Sequence, residues 1–152
     1  MKISTRARYS VRALIELARC YGEGPLSSKA ISRSQQIPSR YLQRLLAKLR
    51  HARLVRVAMG PGGGFELAVP PSKVRISDIM DAVNERLELV HCVASPAGCT
   101  RAPDCSAHAM WRGATEILHR HFHSLTLADV LPERDGSEPR APSRRVRAHP
   151  RR

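Results

Sequence analysis

A leucine stripe in residues 38–51 constrains the fold more than any other feature of the sequence. Its members recur at i, i+3, i+4 and i+7, the spacing that places side chains on one face of an α-helix. The stripe consists of Leu42, Leu45, Leu46 and Leu49. Pro38 suits the first turn of such a helix. We therefore predict a helix from Pro38 to about His51 that buries its leucines and turns a basic face outward.

Two helices are expected before this one. Apolar residues at helical spacing predict a first helix over residues 5–21, which the glycines and proline of residues 22–25 would end. Ser27 or Ser28 then offers an N-cap for a short second helix, Lys29–Gln35.

A β-hairpin is expected after the basic helix. Two short extended runs, Leu54–Ala58 and Phe65–Val69, flank a glycine-rich turn. The turn is not expected to bind a nucleotide, because no Gly-Lys-Ser/Thr follows it and a strand lies on each side of it. The predicted order of elements is that of a winged helix-turn-helix: a helix, a short helix, a basic helix and a hairpin. We assign residues 1–71 to a DNA-binding domain of that class, within a fold that is mainly α with a small β wing.

The charge of the chain is concentrated in this predicted domain. The 152 residues include 26 Lys and Arg and 13 Asp and Glu, a formal charge of +13. Residues 1–60 hold 13 of the basic residues and two of the acidic ones, whereas residues 61–131 are close to neutral. A one-signed excess on a helix-turn-helix favours double-stranded DNA as the partner over a merely solvated surface. No apolar run approaches the roughly 18 residues that a membrane span needs, and the N-terminus has no secretory signal. We therefore expect a cytoplasmic protein with no membrane partner.

The second half of the chain is predicted to contain helices around a cysteine-rich loop. Ser77 is expected to cap a helix to about Asn84, and residues 106–124 are expected to form a long helix. Thr126 and Asp129 resemble a capping box that would open a last short helix. The apolar side of the long helix comprises Met110, Ala114, Ile117, Leu118, His121 and Leu125. Because this side would otherwise face water, we expect the long helix to mediate dimerisation.

The C-terminal residues 132–152 differ in composition from the rest. They hold seven Arg, three acidic residues and four Pro, with almost no apolar content. We predict a disordered, solvated extension, the alternative being a weak phosphate-binding arm.

The strongest chemical motif is a set of three cysteines and one histidine. Its spacing is Cys92-x6-Cys99-x5-Cys105-x2-His108. Thiolates and imidazole suit both zinc and iron–sulfur clusters. Zinc motifs usually contain a C-x2-4-C pair, which is missing here, so the wide spacing fits a cluster better. Residues 72–131 are accordingly assigned to a cluster-binding loop and a dimerisation helix.

The remaining cysteine and histidines are not assigned to a metal. Cys20 is expected to be a buried structural thiol, and His91 a loop residue. His119, His121 and His123 alternate along the long helix, so the three cannot share one face. No Ser/His/Asp set, paired carboxylates or cofactor fingerprint supports catalysis, so we do not expect an enzyme.

Four segments carry a resemblance to a known family. They are RYSVRALIELA in the first helix, IPSRYLQRLLAKLRHARLV through the third, GPGGGFEL in the hairpin and CSAHAMWR at the start of the long helix. Over about residues 1–131 the chain resembles the IscR/NsrR/RirA family of bacterial winged-helix regulators, most closely its IscR-like members.

The resemblance implies a homodimer that binds a DNA operator and carries an iron–sulfur cluster. It implies Cys92, Cys99, Cys105 and His108 as ligands, with a 2Fe–2S cluster favoured and a 4Fe–4S cluster as the alternative. It also places the start of the third helix on DNA. The candidate DNA-binding residues are Ser28, Ser39, Arg40, Tyr41, Gln43, Arg44, Lys48, Arg56, Gly62 and Gly63.

Three departures from the family pattern matter. The first cysteine gap is one residue longer than is usual in IscR-like members, and Gln43 replaces a glutamate that helps them discriminate between sites. Met59 stands where an arginine often enters the minor groove, so Arg56 or a more permissive site must compensate.

The predicted function is a transcriptional regulator, with repression as the expected mode, that senses iron–sulfur status, redox stress or nitric oxide. Two alternatives remain: a nitric-oxide sensor with a 4Fe–4S cluster, and a zinc-stabilised DNA-binding module without sensing. Nitric-oxide sensors of the family can take a carboxylate ligand from the partner's first helix. This chain has Arg8 in that region and no acid before Glu16, which favours His108.

Overall fold

The first three helices form where the leucine stripe and the caps predict them. The structure is a computed structural model that describes residues 3–95, 97 and 99–131. Helix α1 spans Thr5–Arg19, α2 spans Ser28–Gln35 and α3 spans Ser39–His51. Of the two serines offered as a cap for α2, Ser27 is the N-cap, and its hydroxyl accepts a hydrogen bond from the Ala30 N–H at 3.1 Å.

These helices enclose the core. All four leucines of the stripe are buried, and the fully buried side chains around them come from α1, α2 and the turn between α2 and α3. The largest of these are Leu14, Ile31 and Ile37. The basic face of α3 is exposed, as predicted.

The hairpin forms a two-stranded antiparallel sheet. Strand β1 is Val55–Ala58 and strand β2 is Gly64–Leu67, with Val55 opposite Leu67 and Ala58 opposite Gly64. Backbone hydrogen bonds in both directions join Leu26 to Phe65, at 2.9 and 2.8 Å. The segment before α2 therefore fixes the hairpin against the helix-turn-helix, the arrangement of a winged helix.

Helix α4 differs from the prediction at both ends. It spans Ile76–Ala82, so Ser77 lies inside the helix and does not cap it. Arg75 is the N-cap, and the Asp78 carboxylate accepts a hydrogen bond from its backbone N–H at 3.1 Å. Asn84 lies beyond the helix with a positive φ of 55°, a left-handed conformation that asparagine tolerates.

The rest of the described chain consists of a short helix, a loop and the long helix. Helix α5 spans His91–Ala94, a 3-10 turn spans Ala102–Asp104, and α6 spans Ser106–Ser124 as predicted. The prediction of a last short helix after Thr126 is wrong. The capping hydrogen bonds to Asp129 form at 2.7 and 2.8 Å, but residues 127–130 form a turn.

The two predicted parts of the chain share one core. Val74, Ile79 and Leu127 are fully buried in the same cluster as Leu14 and Leu46. The end of α6 is tied to the start of α4 by backbone hydrogen bonds of 2.9 and 2.7 Å. Among the described helices, none is both long and apolar enough to cross a membrane. The predicted disordered tail, residues 132–152, lies outside the described residues.

Candidate nucleic-acid interface and cysteine cleft

The exposed face of α3 is basic. Arg40, Gln43, Arg44 and Lys48 are exposed, as is Ser39 at the start of the helix. Within the described ranges, no carboxylate lies at ion-pair distance from these basic side chains. The sequence contains no Asp or Glu between Glu23 and Glu66. This face therefore presents unpaired positive charge, as phosphate binding requires.

Two of the predicted DNA-binding residues are partly engaged in packing. Tyr41 is half-buried, and its ring meets Tyr9 of α1 edge-on with centroids 5.9 Å apart. The Arg12 guanidinium lies 5.6 Å from the centre of the Tyr9 ring. Ser28 is half-buried in the first turn of α2. Tyr41 thus fixes the start of α3 against α1.

The turn of the hairpin requires glycine. Gly62 has a φ of +81°, and a Cβ added at Gly63 would lie 2.3 Å from the Ala58 carbonyl oxygen. The Gly63 N–H donates to the Gly60 carbonyl at 2.9 Å, which closes the turn. The turn itself therefore requires glycine at these positions.

Arg56 is exposed but already paired. Its Nε donates to Glu66 Oε1 at 2.9 Å across the two strands. It is therefore less free to compensate for Met59 than the sequence suggests.

A cleft between α3 and α4 was not predicted from the sequence. It has a volume of about 820 Å³, and its charged walls are Lys48 and His51 on one side and Asp78 and Asp81 on the other. Lys48 therefore lies at the edge of the basic face, beside α4. Arg44 does not line this cleft, and the residues one helical turn before and after it, Arg40 and Lys48, are exposed. The contact between α3 and α4 is tertiary, and local periodicity contains no signal for it.

The structure brings three of the four predicted metal ligands to one cleft. Cys99, Cys105 and His108 line a cavity of about 440 Å³ at the start of α6, together with Arg112. Cys92 lies on α5, which packs against α6 but does not line this cavity. Within the described residues, no three His, Cys, Asp or Glu side chains are close enough to hold a metal ion as they stand.

The donor chemistry of the cleft fits an iron–sulfur cluster. The three cysteines are free thiols and half-buried. His108 Nδ1 is buried and has no hydrogen-bond partner among the described residues. A buried unpartnered ring nitrogen is costly unless something binds it. Two cysteines and one histidine that line one cleft therefore form an incomplete but suitable donor set.

The structure brings two of the histidines farther along α6 to one cleft. His119 and His123 are four residues apart, so they share a face, and both line a cleft of about 440 Å³ with Asp78 and Asp81 of α4. The Arg75 guanidinium contacts the His123 ring. His121, between them, does not line this cleft, so the three histidines do not all share one face.

The fold and the basic face define a winged helix-turn-helix protein of the DNA-binding class. The chain belongs to the Rrf2 family, described as iron-dependent transcriptional regulators, which residues 3–133 match. Regulators of this family bind DNA.

Individual relatives agree with this assignment. The transcriptional regulator IscR of Cereibacter sphaeroides is 35% identical over 135 residues, which cover 86% of this chain and 87% of that protein. Protein rrf2 of Nitratidesulfovibrio vulgaris is 33% identical over 137 residues, covering 90% of each chain.

Solved structures share the architecture. The global cysteine regulator CymR of B. subtilis superimposes with a TM-score of 0.72 and 30% identity, covering 85% of this chain and 95% of that one. IscR of T. potens gives a TM-score of 0.70 and 31% identity, covering 85% of each chain. These neighbours confirm the winged-helix fold and the predicted resemblance to IscR-like regulators.

Proposed function

We propose that this chain is a cytoplasmic, homodimeric transcriptional repressor whose operator affinity depends on an iron–sulfur cluster. Cys92, Cys99, Cys105 and His108 would hold the cluster. The observation that carries the proposal is that His108, whose Nδ1 is buried without a partner among the described residues, lines the same cleft as Cys99 and Cys105. When bound, the cluster would supply a response to iron supply, oxidants or nitric oxide.

The residues of α2, α3 and the hairpin would bind the operator. The exposed basic face of α3 is unpaired, and a helix of this diameter fits the major groove. Arg44 and Arg40 would donate hydrogen bonds to phosphates or base edges, and Gln43 can bond a base edge as a neutral donor and acceptor. Gly62 and Gly63 would let the hairpin backbone approach the adjacent groove.

The apolar side of α6 supports the homodimer. Met110 and Ile117 are 57% and 59% exposed on one side of this helix, and Trp111 is also exposed. Exposed apolar side chains in a row on one helix indicate a surface that a second helix covers. A second copy of α6 would bury them, and a two-fold dimer matches the symmetry of a palindromic operator.

Contacts within the chain connect the cleft to the DNA-binding face. The cleft lies at the start of α6, and the end of α6 is hydrogen-bonded to the start of α4. Helix α4 in turn contacts both α1 and α3. A change in the position of α6 would therefore reach α3 through packed elements.

Anaerobic purification tests the proposal. The wild-type chain should contain iron and acid-labile sulfide and absorb visible light, with two irons per chain for a 2Fe–2S cluster and four for a 4Fe–4S cluster. A colourless protein with one zinc per chain would support the zinc-stabilised module instead. A colourless protein without metal would contradict both.

His108 variants sharpen this test. His108→Ala should leave an incomplete ligand set and a labile cluster, and His108→Cys should keep a cluster of lower potential, since thiolate replaces neutral imidazole. His119→Ala is the matched control, because His119 lies on the same helix but outside the cysteine cleft. If His108→Ala keeps the wild-type iron content and spectrum, His108 is not a ligand.

A further inference from the structure

Met59 is the most exposed large hydrophobic side chain in the described part of the chain. It is 90% exposed, whereas the others range from 37% to 59%. The next most exposed, Ile117 and Met110, lie on the apolar side of α6 that the dimer would cover. Met59 lies elsewhere, at the end of β1 where the hairpin turns, so that dimer surface does not account for it.

Met59 stands at the start of a tightly closed turn. Met59 is followed by Gly60, whose φ is +98°, and the closed turn at Gly63 has no room for a Cβ. On the other side, Phe65 is joined to Leu26 by two backbone hydrogen bonds. The hairpin that carries the tip is therefore bonded to the segment that precedes α2.

The surroundings of the tip suit nucleic acid. The sequence has no acidic residue between Glu23 and Glu66, and Glu66 is neutralised by Arg56. Arg56 is held by that ion pair. The exposed side chain beside the turn is therefore the thioether of Met59. It cannot donate a hydrogen bond to a base or a phosphate. It can only be buried against apolar surface, which the stacked faces of bases supply.

We propose that Met59 enters the minor groove and inserts between two adjacent base pairs, partly unstacking them and bending the operator. This inference rests on the proposed function, because it requires the hairpin to lie on DNA. Apolar side chains including methionine act as such wedges in minor-groove proteins. Pyrimidine–purine steps unstack most easily, so each half-site should contain a TA or CA step beneath the hairpin. Met59 would thus determine specificity at a step that no hydrogen bond reads.

The test uses the full-length chain and operators that it selects from random duplex DNA. Adenines of the operator are replaced one at a time by 2-aminopurine, whose fluorescence rises when it unstacks. Wild-type protein should raise the fluorescence several-fold at one step per half-site. Met59→Ala should abolish that rise, reduce the bend and weaken binding by about tenfold. Met59→Leu should retain both effects, since leucine is also a wedge.

A third variant separates insertion from simple groove contact. Met59→Arg should bind through the negative potential of the groove, lose the fluorescence rise and shift the selected sequences towards A-tracts. All three variants should unfold at the wild-type temperature, because the side chain is exposed.

The outcomes distinguish this inference from the proposed function. Wild-type binding without unstacking at any adenine, or unstacking that persists in Met59→Ala, would overturn the wedge and leave operator binding intact. A wild-type chain that selects no DNA at all would contradict operator binding itself.

Discussion

Glu85 links the start of α1 to the segment after α4. The Ser4 N–H donates to its carboxylate at 2.9 Å, the Ser4 hydroxyl makes a second, short hydrogen bond, and Arg6 Nε lies 3.5 Å away. Burial of the carboxylate raises its pKa. The hydrogen bonds from Ser4 and the charge of Arg6 outweigh that effect and hold the Glu85 pKa below its ordinary value. The ionised carboxylate therefore stabilises the fold.

The sign of this shift predicts the effect of acid on stability. Because the folded-state pKa lies below the unfolded-state pKa, the stabilisation is complete above the unfolded-state value of about 4.5 and is lost as the pH falls through the folded-state pKa. Glu85→Gln should lower the free energy of unfolding at pH 7 by about 2 kcal/mol and flatten its dependence on acid. Denaturant unfolding between pH 7 and pH 3 measures both.

Glu116→Gln is the control for that experiment. Glu116 is exposed and pairs only loosely with Arg112, at 3.9 Å. Its loss should change stability by less than about 0.5 kcal/mol. If Glu85→Gln behaves like Glu116→Gln, the contacts with Ser4 and Arg6 do not stabilise the fold.

Arg44 and Lys48 allow a direct test of the basic face. If a side chain contacts a phosphate, its replacement by alanine should weaken binding to all sequences. The same replacement should reduce the slope of the salt dependence of binding by about one unit. We expect both substitutions to have this effect. The effect of Lys48→Ala should be the smaller of the two, because Lys48 also borders the cleft that contains Asp81. Titrations of duplex DNA at several salt concentrations give affinity and slope together.

Lys73→Ala provides the matched comparison, since Lys73 is an exposed lysine outside the helix-turn-helix and the hairpin. It should leave both quantities unchanged. Wild-type affinity and slope in both Arg44→Ala and Lys48→Ala would remove this face of α3 from the interface.

At the scale of elements, local patterns predicted most of the fold and tertiary contacts decided the rest. The leucine stripe predicted α3, and the bounds of α6 matched to the residue. Ser77 failed as a cap because Asp78 reaches back to the Arg75 N–H. The expected helix after Thr126 gave way to backbone pairing between this segment and Val74. The first error reflects a competing local cap three residues away, and the second reflects a contact from a distant segment.

The candidate site shows the same division. Spacing identified the three cysteines and His108 as a set, but it could not tell that Cys92 lies on α5, outside the cleft of the other three. The unpartnered nitrogen of His108 and the exposure of Met59 depend on three-dimensional packing. Neither has a signal in the order of residues.

Helix α6 yields a prediction about assembly. Ile117→Glu places a charge in the middle of its exposed apolar side and should produce monomers, with operator affinity falling by about 100-fold as the second half-site is lost. The monomer should still fold, because Ile117 is already exposed. Sedimentation and operator titration measure the two effects.

Glu116→Ala, on the polar side one residue earlier, should remain dimeric with unchanged affinity. A wild-type monomer at micromolar concentration, or a dimer that persists in Ile117→Glu, would contradict dimerisation through α6.

In the whole molecule, the proposed function requires the cysteine cleft, the proposed dimerisation helix α6 and the DNA-binding face to act together. The cleft and the dimer surface share α6, and α4 joins α6 to α3. A ligand that binds the cleft can change operator affinity only if it binds more tightly to one arrangement of these elements than to the other. The same coupling must then appear in both directions, since operator DNA would alter cluster stability by the same factor.

The most direct test is the operator affinity of one anaerobic preparation measured before and after its cluster is removed. Iron and sulfide are assayed in both samples, and circular dichroism checks that the stripped chain remains folded. If the proposed function is correct, the first sample contains iron and sulfide. The operator affinities of the loaded and the stripped chain then differ by at least about fivefold. Equal affinities for the loaded and stripped chains, or a preparation that never contains iron and sulfide, would contradict it.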